Sequence, residues 1–174
     1  MSDAMIRLRR VTKDPIGDAA LLARWPAGRI EMQAGALVDI RCGILPRRVS
    51  VARVWLETRF RPRHQDRCVL HYHCPWFARY LVLDYVVSGR QTCFATFRGA
   101  CQILDQVAKA RGSVAIFAHL TTSEISDRLM SRWGWQQHLP HLPGRHWVKR
   151  FYDGYPDIDV RRYLTGDWES KPQP

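Results

Sequence analysis

Cysteine, histidine and arginine supply the chemistry-bearing patterns in this chain. Cys68-x2-His71-x-His73-Cys74 places two thiols and two imidazoles within one short segment. Its spacing fits no closed zinc site, and no second Cys/His pair follows at the usual interval. On a strand, His71 and His73 share one face while Cys68 and Cys74 point the other way, so polar lining of a strand face is expected and no metal. His138, His141 and His146 form a second scatter in a Pro/Gly-rich loop. Arg47-Arg48, Arg53, Arg59, Arg61, Arg63 and Arg67 crowd a stretch with only Glu57 and Asp66 to offset them. Such a patch attracts phosphate, on nucleic acid or on a phosphorylated cofactor; a solvated hairpin is the alternative. Cys93, at the start of an expected helix, is either a reactive thiol or a side chain that packs the helix start. There is no Gly-x-Ser-x-Gly, Walker loop, dinucleotide fingerprint or His-Glu-x-x-His.

These residues must be positioned by a domain of ordinary make-up. A length of 174 residues suits one domain plus a tail. With 46% hydrophobic and 25% charged residues the chain is too apolar for disorder. The formal charge is +11 and the basic residues are almost all arginine, only Lys13, Lys109, Lys149 and Lys171 being lysine. No apolar run approaches the roughly 18 residues of a membrane span, and the first residues show no apolar signal core, so no membrane association is expected. Five cysteines at irregular spacing argue for reduced thiols and a cytoplasmic location.

Periodicity supplies the elements. Ile6 to Val11 alternates as a short edge strand; Gly17 to Trp25 reads as a helix ended by Pro26; Ile30 to Ile40 is ambiguous, interrupted by Gly35. Val49 to Phe60, Arg67 to His73 and Phe77 to Val87 read as an antiparallel meander, the last strand nearly continuous in apolar residues and so buried on both faces. Phe94, Phe97, Cys101, Leu104 and Ala108 then recur at helical steps, and Arg111-Gly112 closes that helix. Val114 to Leu120 is a second buried strand. Thr121-x-x-Glu124 is a capping-box signature for a helix carrying Ile125, Leu129 and Trp133 inward to Gly134, and Arg145 to Tyr152 alternates as a further strand. The strand–helix–strand from Phe77 to Leu120 demands a parallel pair with a right-handed crossover. The expectation is an α/β fold: a mixed, mostly antiparallel twisted sheet with flanking helices, a single domain over residues 1–152, and a C-terminal extension over 153–174, frayed from Ser170.

Meander, crossover helix, strand, capped helix, Trp-Gly-Trp and strand, in that order, resemble the GCN5-related N-acetyltransferase superfamily. The resemblance covers roughly Val49 to Tyr152. Ser123 to Trp135 is similar to that family's second motif: Ser123 stands for its Asn, Ser126 and Leu129 match, Met130 stands for its Tyr, and Gly134-Trp135 stands for Gly-Phe. Arg90-Gln91-Thr92-Cys93-Phe94-Ala95 stands where the family carries Arg/Gln-x-x-Gly-x-Gly/Ala around the cofactor pyrophosphate; Arg90 and Ala95 match and Cys93 replaces the central glycine.

The resemblance implies an acyl-CoA N-acyltransferase fold, with acetyl-CoA or another acyl-CoA as cofactor and a small-molecule or protein amine as acceptor. It implies cofactor contacts from Val86, Val87, Arg90, Gln91, Thr92, Cys93, Ala95 and Ser123. Candidate bases near the implied strand splay are Asp84, His119 and Glu57, while Met130 cannot supply the acid that the family draws from Tyr; Tyr152 and Tyr155 are possible substitutes. The chain is read as such an acyltransferase, or as a relative that keeps the fold with altered catalysis. The alternative is a non-enzymatic basic module that binds nucleic acid or another polyanion through the arginine stretch.

Overall fold

The computed structural model describes residues 10–43, 66–88, 91–120 and 125–165. The expected strand Val49–Phe60, the arginines from Arg47 to Arg63, Glu57, Arg90 and the Thr121–Glu124 capping box lie outside the described residues, as does the tail from Ser170.

The described elements run β1 (Val11–Thr12), α1 (Ala19–Arg24), β2 (Ala27–Gln33), β3 (Ala36–Cys42), β4 (Arg67–His73), β5 (Tyr80–Ser88), α2 (Phe94–Arg111), β6 (Ala115–Leu120), α3 (Asp127–Arg132), β7 (Gln136–Gln137), β8 (Arg145–Arg150) and α4 (Arg161–Thr165). The strands form one eight-stranded sheet in the order β1-β3-β2-β4-β5-β6-β8-β7. Only β5 and β6 pair in parallel; every other described pair is antiparallel. The mixed α/β sheet and the parallel crossover pair therefore form as the sequence pattern demands.

The meander differs. The ambiguous stretch around Gly35 is a hairpin of β2 and β3, and Ala34 and Gly35 take φ of 47° and 76° at its turn. Positive φ at both central residues matches the right-handed twist of the flanking strands. β2 then lies against β4, whose other edge is taken by β5, so both sides of β4 are filled without Val49–Phe60. Phe77 is not in a strand: it is fully exposed at φ 61°, and β5 begins at Tyr80. Nor is β5 buried throughout; only Leu81 and Leu83 are, and the rest is half-buried or exposed.

α2 packs across β2, β4 and β5. Its buried face runs through Thr96, Gly99, Ala100, Ile103, Leu104, Val107 and Ala108, the spacing of one helical stripe. The expected stripe shares only Leu104 and Ala108 with it, because the helix approaches on its small residues: Met32 and Tyr163 sit over Gly99, leaving no room for a Cβ. Phe94 and Phe97 instead meet Trp133, with ring centroids 5.4 Å apart in each case. α2 ends at Gly112, as expected, and Arg111 turns back to donate to the carbonyls of Leu22, Ala23 and Trp25, fixing the end of α1. α3 starts later than the sequence suggests, at Asp127, with the Ser126 hydroxyl accepting the Leu129 N–H at 3.3 Å. Its buried residue is Met130; Ile125, Leu129 and Trp133 are half-buried.

Beyond residue 152 the chain returns to the core. Val160 and Tyr163 are 1% and 3% exposed, and α4 rests on β3. No described helix is long and apolar enough to cross a membrane. All five cysteines are free.

Candidate functional site

The site begins with one extra residue. β4 and β5 pair His71 with Tyr85 but Tyr72 with Leu83, so Asp84 is unmatched and forms a β-bulge. A bulge bends its strand and sharpens the local twist. On the other edge, β5 pairs with β6 from Tyr80↔Ala115 to Leu83↔Ala118 and no further, although β5 continues to Ser88 and β6 to Leu120. The two strands diverge at Asp84. Past that point the β6-facing edge of β5, including Val86 and Val87, has no strand partner among the described residues.

A cavity of about 350 Å³ opens at the divergence, lined among others by Asp84, Phe117, His119, His138, His146 and Trp147. Asp84 is anchored by His73, whose Nδ1 lies 2.8 Å from both carboxylate oxygens. His119 is exposed and stacks on His146 across the β6–β8 pair, with centroids 4.5 Å apart and planes 9° from parallel. His146 Nε2 lies 3.1 Å from the Pro143 carbonyl. Gly144 holds the loop against this pair at φ 105°, where a Cβ would lie 2.5 Å from His119 Nε2. Only glycine suits both the backbone and the gap. His138 meets Phe117 edge-on at 5.3 Å. The Trp147 indole N–H is buried and has no hydrogen-bond acceptor among the described residues.

Asp84 and His119, both named from sequence, thus line one cavity, while Glu57 lies outside the described residues. Nothing in the sequence marks His73 as a partner for Asp84. Strand alternation does set His73 opposite Cys68 and Cys74: those two are buried in the core, 0% and 8% exposed, and His73 is half-buried. Among the described residues no group of three or more His, Cys, Asp or Glu is placed to hold a metal ion. The proposed acid substitutes lie elsewhere. Tyr152 is exposed, and the Tyr155 hydroxyl donates to the Ser113 carbonyl at 2.9 Å.

The start of α2, the implied pyrophosphate seat, carries an anion of the chain's own. Asp66 Oδ1 accepts the Cys93 N–H at 2.8 Å, and Oδ2 accepts the Cys93 thiol at 3.0 Å and the Thr96 hydroxyl at 2.8 Å. Cys93 Sγ also accepts the Thr96 N–H at 3.4 Å, so Cys93 is the N-cap residue. A carboxylate here satisfies orphan donors and complements the positive end of the helix dipole. Thr92 donates to the Arg67 carbonyl at 2.6 Å; Gln91 is exposed and Ala95 half-buried, while Arg90 and Ser123 lie outside the described residues. A cofactor pyrophosphate does not fit at the Cys93 N–H while Asp66 holds it.

Of the arginine stretch, the described member is Arg67. It pairs with Glu31, which Arg29 also pairs, on the β2 neighbour of β3's Asp39, itself neutralised by Arg41 at 2.7 Å. This cation is spent on a cross-strand pair of carboxylates. Compared with protein-family models, curated proteins and solved structures, the chain matches none.

Proposed function

We propose that the chain is an N-acyltransferase that takes an acyl group from a coenzyme A thioester and passes it to an amine in the cleft between β5 and β6. The observation that carries this reading is the divergence at Asp84: it leaves an extended backbone edge beside a cavity lined by a carboxylate and imidazoles. An extended amide-bearing arm adds to such an edge by main-chain hydrogen bonds, which do not depend on side-chain identity. The donor supplies an activated carbonyl, its pyrophosphate lying away from the Cys93 N–H that Asp66 holds.

The residues of the cleft divide the remaining work. Asp84, held by His73, attracts the acceptor as its ammonium ion. The His119 imidazole takes one of the ammonium protons, imidazole being the side chain that most often serves as a general base. The amine nitrogen then bonds to the acyl carbon as the carbon–sulfur bond breaks. The departing sulfur takes up the proton that His119 holds. The acylated nitrogen sheds its remaining extra proton to the freed imidazole and from there to water, leaving a neutral amide and a free thiol. Met130, 4% exposed in the core, stands where the resembled family places a tyrosine, so the same imidazole serves in both directions. The Trp147 N–H, without an acceptor among the described residues, offers a donor to a carbonyl entering the cavity.

Thiol release from acetyl-CoA, followed with a panel of primary amines, tests this. Release should require an amine and fall about 10²–10⁴-fold in His119→Ala, the usual range for loss of a general base. No release with any amine, together with steeply salt-dependent binding of nucleic acid, would instead support the basic-module reading.

A further inference from the structure

A second cavity, away from the cleft, lies between α2 and β8 on the helical side of the sheet and has a volume of about 440 Å³. That size is within the roughly 300–1,000 Å³ of small-molecule sites. Beside the apolar stripe that α2 turns to the sheet, the face it presents to this space is polar. Arg98, Cys101, Gln102 and Asp105, spaced i, i+3, i+4 and i+7, all face the space. Deep in it, Lys149 donates to Asp105 at 2.6 Å, both residues being under a tenth exposed. A buried ion pair seldom improves on apolar packing, so its position on a cavity wall calls for another use.

The charges around it do not balance. Lys149 and Asp105 neutralise each other, which leaves Arg98, Arg132 and Arg150 on the lining. Among the described residues no carboxylate pairs with any of these three. Arg150 is oriented by Gln136, to whose side-chain oxygen it donates. Guanidinium groups present planar forks that match phosphate oxygens two at a time. Trp133, half-buried and packed against Phe94 and Phe97, and the buried Trp135 complete the wall beside the cations.

We propose that this cavity binds a small organic phosphate of nucleotide type, its phosphate on Arg98, Arg132 and Arg150 and its ring beside Trp133. The site is independent of the cleft and stands whether or not the acyltransferase reading does.

Titration calorimetry of the whole protein with ADP, adenosine and inorganic phosphate tests it. ADP should bind at least tenfold more tightly than either part alone. The Arg98→Ala, Arg132→Ala double variant should weaken ADP at least tenfold, and Arg150→Gln should weaken it severalfold. Arg132 and Arg150 are exposed, so if the double variant loses its thermal transition, Arg132→Ala and Arg150→Gln carry the same comparison. No binding of ADP, ADP no tighter than inorganic phosphate, or binding unchanged in the variants would overturn the proposal.

Discussion

The Asp66 carboxylate accepts the backbone N–H of Cys93 at 2.8 Å and so closes the first turn of α2 from 27 residues earlier in the chain. Cys93 is thereby accommodated as the N-cap residue. The thiol points to the same carboxylate, at 3.0 Å, and fills the cap. Charge already in place, rather than crowding by a Cβ, is what a cofactor phosphate would meet here.

Removing that cap should cost stability. Asp66→Ala is expected to lose about 2–3 kcal/mol, from the loss of charged hydrogen bonds and of the helix cap together, and Asp66→Asn about 1 kcal/mol. Urea unfolding reads both. Wild-type midpoints in the two variants would show that Asp66 does not hold the helix.

Gly144 should be needed for the imidazole pair as well as for its backbone. Gly144→Ala places a methyl 2.5 Å from His119 Nε2, whereas Gly154, at φ 109°, has nothing within 4 Å of a Cβ. Both alanine variants should lose about 1–3 kcal/mol to backbone strain. Only Gly144→Ala should also cut amine-dependent thiol release. Equal activity in the two would dissociate Gly144 from the site.

One thiol should be inert. Burial pushes the Cys68 thiol up to about 12. With so little thiolate, it should not react with iodoacetamide at about pH 8 in the native protein, while it should react in urea. Peptide mapping decides it; native alkylation of Cys68 at the rate of an open thiol would contradict its burial.

Asp105 should show in the pH dependence of stability. Burial raises its carboxyl above the usual 3.8, with Lys149 opposing the shift. A folded value above the unfolded one means that the folded chain binds this proton first as pH falls. The group therefore adds stability as pH drops through the raised value toward 3.8, and loses it as pH rises back. Between about pH 7 and pH 4, Asp105→Asn should lose more stability than wild type. Parallel profiles would show that Asp105 titrates as an open carboxylate.

Local patterning carried the elements well. The apolar run before Leu120, the helix ended at Gly112 and the alternation of Arg67 to His73 each reflect a period that burial enforces, and the parallel pair follows from their order. The hairpin around Gly35 was less legible because Ala34, a residue with little taste for positive φ, shares its turn. Bulky residues mark a different α2 stripe from the buried one, because close helix–sheet approach selects Thr96 and Gly99. At the site, Asp84 and His119 could be named from order along the chain. The Asp84 bulge, the His73 partner and the Asp66 cap could not, since each depends on register between strands or loops distant in sequence.

Hydrogen exchange along β5, read with and without acetyl-CoA, tests the central claim most directly. The edge from Asp84 to Ser88 lacks a β6 partner, so a bound thioester arm should pair with it there. Exchange of the amides in 84–88 should slow on addition of acetyl-CoA, with those of β4 unchanged. No slowing in 84–88 at saturating acetyl-CoA would contradict the account.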